Sequence, residues 1–143
     1  MYVKQISVFI ENQPGKLVDF VELLGREGIV LIALSIADTT NFGILRCIVH
    51  DSERAAEIMN NAGYTARVTE VLAVSIPDQP GDMARAIRIL TDASISIEYL
   101  YSFMRNTKGS ALLIFRVEEL ERAAKMLTDN GMKLLTLDMV QNL

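Results

Sequence analysis

The tripeptide Gln13-Pro14-Gly15 returns as Gln79-Pro80-Gly81, and the match runs well beyond it. At the same offset Val8 aligns with Val74, Ile10 with Ile76, Leu24 with Leu90, Ile29 with Ile95 and Gly43 with Gly109. Further on the offset grows by two residues. Glu53-Arg54-Ala55-Ala56 then aligns with Glu121-Arg122-Ala123-Ala124, and Gly63 with Gly131, so the second copy carries an insertion near Glu118. A repeat of this length constrains the fold strongly, because what one copy forms the other is expected to form too. It divides the chain into residues 1–69 and 70–143.

Periodicity supplies the elements of one copy. Ile6, Val8 and Ile10 alternate, as in a strand with one buried face. Leu17, Phe20, Val21 and Leu24 recur at helical spacing, so a helix follows Gly15. Residues 29–37 read as a second strand, 38–43 as a turn, 44–49 as a third strand and 52–61 as a second helix. Asp51 or Ser52 is placed to cap that helix and Gly63 to end it. A short strand over 66–69 closes the copy. The second copy repeats the order: strand 72–76, helix 81–93, strand 95–103, a turn near Asn106, strand 110–117, helix 120–130 and strand 133–136. The order βαββαβ, twice, predicts an α+β fold of two ferredoxin-like units, each an antiparallel sheet with its helices on one face. Arg67 to Ile76 joins the copies without Gly or Pro, so no flexible linker is expected there.

Composition then excludes several roles. The residues are 50% apolar, enough for a sizeable core. The longest apolar run, residues 29–37, falls well short of the roughly 20 residues that span a bilayer. The opening MYVKQISVF lacks the basic segment, apolar core and cleavage site of a signal peptide, which makes the cytoplasm the expected location. Net charge is −4 and the 14 basic residues are scattered. A nucleic-acid binder clusters Lys and Arg to displace counterions, so no nucleic-acid partner is expected. The single cysteine, Cys47, cannot form an internal disulfide and reads as a buried, inert thiol.

Each Gln-Pro-Gly loop ends a first strand and starts a first helix. Proline presets the turn, and glycine leaves room for a ligand or another backbone to approach. The next N–H groups lie at the positive end of the helix dipole, where a carboxylate fits. Asn12 and Asp78 precede the two tripeptides; their side-chain oxygens either cap the helix or accept from a ligand ammonium group. A carboxylate site beside an ammonium acceptor suits an α-amino acid. A single Pro-Gly after a strand is ordinarily just a turn, so it is the repetition that raises the interest of the loop.

"NQPGKL" and "DQPGDM", set between strand and helix in a βαββαβ order, resemble the ACT domain, and the resemblance covers both copies. It implies a free-standing tandem ACT protein that regulates an enzyme or transporter, has no catalytic activity and needs no cofactor. It implies a small-molecule ligand, an amino acid first of all, where the Pro-Gly loop of one unit meets the second strand of its neighbour. Carried over, the ligand residues are Asn12, Gln13, Pro14, Gly15, Lys16 and Leu17, with Asp78, Gln79, Pro80, Gly81, Asp82 and Met83. The family often places Asn two residues after the glycine that follows the first helix. This chain has Val30 after Gly28, and Ser94 and Ser96 at the matching places of the second copy.

The remaining polar residues weigh less. His50, the only histidine, has no nucleophile or metal-ligand motif beside it. Arg46 lies inside an apolar strand and either meets a ligand carboxylate or, more commonly, faces solvent or an interface. Tyr99, Tyr101 and Phe103 share one face and suit packing more than direct ligand contact. No Walker or dinucleotide loop is present. Both faces of several strands are apolar, so a homodimer or higher even oligomer is expected. The competing reading is a structural or adaptor protein that dimerises or docks a partner enzyme without ligand. A small hydrolase such as an acylphosphatase stands third, for want of an Arg–Asn pair in a phosphate loop.

Overall fold

The structure, a computed structural model, describes residues 2–38, 41–103 and 109–143. The turn expected near Asn106 lies outside them. The chain separates into two compact units, Lys4–Thr69 and Glu70–Leu143, the latter joined by the N-terminal residues through Val3.

In the first unit β1 (Val3–Glu11), α1 (Lys16–Arg26), β2 (Leu31–Asp38), β3 (Phe42–Val49) and α2 (Ser52–Asn61) lead into β4 (Ala66–Pro77). The strand order is β2-β3-β1-β4. Register explains why alternation was visible in the sequence: Val8 faces Leu45, which in turn faces Ile36, and Ile6 faces Cys47. Ile6, Val8, Ile10, Leu45, Cys47 and Val49 form one buried face, which packs against Phe20 and Leu24 of α1 and Ala55 and Met59 of α2. Tyr64 meets Phe20 edge to face at 5.0 Å. Each buried large side chain of this set contributes about 1.5–3 kcal/mol. Asp51 caps α2 by accepting from the Arg54 N–H at 3.1 Å.

The second unit repeats the plan. The rest of β4 is followed by α3 (Asp82–Asp92), β5 (Ile97–Ser102), β6 (Ser110–Val117), α4 (Leu120–Asp129), β7 (Lys133–Leu135) and α5 (Leu137–Gln141). The strand order is β7-β4-β6-β5. Leu72, Val74, Ile76, Leu113, Phe115 and Val117 face Ala86, Leu90, Ala123 and Leu127 of the helices.

Four features depart from the sequence reading. The strands expected at 66–69 and 72–76 are one strand, β4, as the absence of Gly and Pro between them allows. β2 and β5 start at Leu31 and Ile97, two residues later than expected. Ile29 and Ile95 instead close the preceding helices, donating to the Leu24 and Leu90 carbonyls at 2.9 Å. A β-bulge then falls between Leu31 and Ala33 and another between Ile97 and Tyr99. It shifts the alternation, so Leu31 and Leu34 both pack on the core, not on opposite faces. Finally, α5 was not foreseen: Thr136 caps it by accepting from the Met139 N–H at 3.2 Å, and Val140 anchors it, fully buried.

Candidate functional site

The two Gln-Pro-Gly segments form the same turn. Lys16 N–H donates to the Gln13 carbonyl and Asp82 N–H to the Gln79 carbonyl, both at 3.2 Å. Gly15 has φ 89° and ψ −20°, and Gly81 has φ 93° and ψ −15°. Proline at the second place and glycine with positive φ at the third make each a type II turn. Glycine is thus required by the backbone angle. The space around it is open, with nothing within 4 Å of where a Cβ would stand at either position.

The turn ends inside the helix. The Gly15 and Gly81 carbonyls accept the first helical bonds, from Asp19 at 3.0 Å and Arg85 at 2.9 Å. No side chain caps either helix, so Asn12 and Asp78 do not fill the capping role considered for them. Their backbones have another task. Asn12 N–H donates to the Asn41 carbonyl and Asp78 N–H to the Gly109 carbonyl, both at 3.0 Å, which ties each loop to the hairpin of its own unit. In α1 the Leu17 and Val18 N–H groups have no partner among the described residues and lie at the positive end of the helix.

A cleft of about 100 Å³ opens beside the first loop, lined by Ile10, Glu11, Asn12, Gln13, Leu17, Ile36 and Gly43. Three of the expected residues, Asn12, Gln13 and Leu17, therefore meet in one place. Lys16 turns to a separate cleft, about 350 Å³, with Phe9, Asp19, Phe42 and Tyr64. Pro14 and Gly15 shape the turn. Leu17 begins the apolar stripe of α1 yet is 42% exposed, and Ile36 on the core side of β2 is 46% exposed. Ile36 and Gly43 were not among the expected site residues; their signal is register, which pairs Gly43 with Ile10 near the end of β1 and Ile36 with Leu45 on the neighbouring β3.

The second loop has the same backbone and different charge. Asp78 stands where Asn12 does, and Asp82 takes the first helical position that Lys16 holds in α1. The second loop thus carries two carboxylates where the first has an amide and an ammonium group, and Asp82, in the first turn of α3, already complements its dipole.

Other features are elsewhere. A broad cleft of about 710 Å³ is lined by Tyr2, Glu70, Glu118, Glu119, Leu120, Glu121, Arg122 and Lys125. Partial burial pushes the Tyr2 hydroxyl above its ordinary value, with Glu121 and Glu70 adding to the effect. Cys47 is fully buried and burial pushes its thiol up to about 12, so it is inert. Tyr99 and Tyr101 stack with ring centres 6.3 Å apart. Arg46 and His50 are half-buried. Among the described residues no group of three or more acidic, His or Cys side chains could hold a metal ion, and no helix is long and apolar enough to cross a membrane.

This fold, with its paired turn, has known relatives. The family model for the ACT domain pair matches residues 1–142, and the chain belongs to that family. The ACT domain is a regulatory module. The crystal structure of protein BT0572 from Bacteroides thetaiotaomicron is similar at TM-score 0.92 and 32% identity, over 100% of this chain and 98% of that one. The ligand-free regulatory subunit of aspartate kinase from Thermus thermophilus is similar at TM-score 0.67 and 18% identity, covering 90% and 92%. The corresponding subunit from Thermus flavus gives 0.64 and 18%, covering 90% and 92%. The last two share the fold. A comparison with curated protein sequences finds no significant match.

Proposed function

We propose that the chain is a non-catalytic regulatory protein of the cytoplasm that binds an amino acid at its first Pro-Gly loop and passes that signal to an enzyme. The cleft beside the loop carries this reading. Polar Asn12 and Gln13 line it together with apolar Ile10, Leu17 and Ile36, beside a helix start that no side chain caps. A ligand carboxylate takes the N–H groups of Leu17 and Val18. Its ammonium group donates to the Asn12 side-chain oxygen. The kinship in fold with regulatory subunits of aspartate kinase, an enzyme of amino-acid metabolism by its name, agrees with such a ligand.

The second loop is the poorer carboxylate site. A ligand carboxylate about 4 Å from Asp78 or Asp82 would lose about 1 kcal/mol even in bulk water, and more where water is excluded. One ligand per chain follows. Titration calorimetry on the intact chain tests it: Asn12→Leu should weaken amino-acid binding at least 10-fold, about 1.4 kcal/mol, while Asp78→Leu leaves affinity intact. The reverse outcome would move the site to the second loop.

The chain also pairs, as a homodimer or higher even oligomer. Phe9 and Phe42 fall on the face of the first sheet away from its helices and are 55% and 50% exposed. These two rings alone supply too little area for a stable pair, which needs about 1,200 Å² in total, so the interface must extend beyond them. Light scattering at micromolar concentration should give at least twice the chain mass. A stable monomer would contradict the assembly and leave the ligand site untouched.

A further inference from the structure

We propose that the cleft between the start of α1 and the end of α2 binds a guanidinium group supplied from outside the chain, with Asp19 and the Ala62 carbonyl as its partners. The cleft lies apart from the amide groups assigned to the amino acid, and neither site depends on the other.

The residue that closes each helix of the repeats offers a carbonyl that no N–H of its own helix can reach. Three of these four carbonyls accept from an arginine. Arg54 on α2 donates to the Glu27 carbonyl after α1 at 2.9 Å. Arg122, its repeat counterpart on α4, donates to the Ala93 carbonyl after α3. Arg85 on α3 donates to the Asn130 carbonyl after α4 at 2.6 Å. A cation at such a place also meets the negative end of the helix dipole. The fourth carbonyl, that of Ala62 after α2, has no side-chain donor among the described residues.

The repeat supplies the reason. Asn130 and Gly131 correspond to Ala62 and Gly63, and Arg85 corresponds to Asp19. In the second unit the Arg85 guanidinium reaches the end of α4, 3.9 Å from where a Cβ on Gly131 would stand. In the first unit Asp19 holds the position of Arg85, and a carboxylate only accepts. Asp19, Ala62 and Gly63 instead line an open cleft. The gap that Arg85 spans with its own side chain in one unit is left between Asp19 and Ala62 in the other. A guanidinium placed there donates to the Asp19 carboxylate from one edge of its planar fork and to the Ala62 carbonyl from another. Phe42 and Tyr64 line the same cleft, and a weakly hydrated guanidinium packs on aromatic surface better than an ammonium does. Lys16 lies on the cleft as well, and its charge opposes a bound cation.

The probe is methylguanidine, which has no carboxylate and so does not report on the Pro-Gly loop; methylammonium controls for charge alone. In amide NMR of the intact chain, methylguanidine at millimolar concentration should shift the signals of Asp19, Gly63 and Tyr64 and bind more tightly than methylammonium. Asp19→Asn should weaken it about 10-fold or more, the loss of one charge-assisted hydrogen bond, and Lys16→Ala should strengthen it. Asp19→Arg, which copies the second unit, should abolish binding and raise the melting temperature. Arg85→Ala should lower the melting temperature, and methylguanidine should restore part of the loss while shifting Gly131. Free arginine and the blocked peptide acetyl-Gly-Arg-Gly-amide, compared by the shift at Gly63, show whether the group arrives on a small molecule or on a protein chain, and binding of either supports the site. No shift around Gly63, or binding unchanged in both Asp19 variants, overturns the site. Equal binding of methylammonium overturns the choice of guanidinium.

Discussion

The four helices of the two repeats end in the same way, and one of them uses the wrong residue for it. After α1, α2, α3 and α4 the chain turns through Gly28, Gly63, Ser94 and Gly131 with φ of 72°, 95°, 59° and 82°. Each donates back to a carbonyl three residues earlier, and the next residue donates five residues back, at 2.9–3.1 Å throughout. This is the Schellman closure, whose left-handed position suits glycine. Ser94 is the only non-glycine with positive φ among the described residues. A side chain there costs roughly 1–2 kcal/mol. Glycine would return roughly 0.5–1 kcal/mol of that through the greater freedom of its unfolded chain. Ser94→Gly should therefore stabilise the protein by roughly 0.5–1 kcal/mol and raise the melting temperature by roughly 1–4 °C. Gly28→Ser should lower both by similar amounts, and the double swap should return close to the starting value, since the positions lie in separate units. Urea unfolding followed by circular dichroism reads the midpoint shift, with an unchanged slope showing that the two-state comparison holds. A neutral or destabilising Ser94→Gly, alongside a destabilising Gly28→Ser, would refute the assignment of strain to Ser94.

Phe20→Ala removes a fully buried ring and its contact with Tyr64, so it should cost about 3–5 kcal/mol in denaturant titrations. Asp51→Ala deletes the cap of α2 and should cost about 0.5–2 kcal/mol. The Cys47 thiol should resist a disulfide reagent at pH 8 until the chain is unfolded. Its folded pKa is raised above its ordinary value of 9.0 to about 12, so its contribution to stability is complete below pH 9 and falls by up to about 1.4 kcal/mol per pH unit above it, until about pH 12; a flat alkaline limb would contradict this. The purified chain should not turn over acyl phosphates or esters, and hydrolysis abolished by His50→Ala or Arg46→Ala would make it an enzyme.

The fold was legible where periodicity ran uninterrupted. Ile6, Val8 and Ile10 announced β1, and the caps Asp51 and Gly63 bounded α2. It was lost where a local device broke the period. The bulges at Leu31/Ala33 and Ile97/Tyr99 insert a residue that no alternation rule anticipates, and α5 offers too few residues to show a period at all. The site divides likewise. Gln-Pro-Gly announced a turn, but its type appears only in the structure, where glycine is required by the backbone angle and not only by the room it leaves. Ile36 and Gly43 were illegible as cleft walls, because they reach Asn12 through cross-strand register and not through adjacency in sequence.

The central claim, that the start of α1 holds an amino-acid carboxylate, is tested most directly by amide NMR of the intact chain during titration with each of the twenty amino acids. The N–H signals of Leu17 and Val18 should shift furthest, with Asn12 and Gly43 following, while those of Met83 and Ala84 at the matching place of α3 stay where they are. Shifts centred on α3 or on the cleft around Tyr2, or none with any of the twenty amino acids at millimolar concentration, would contradict it.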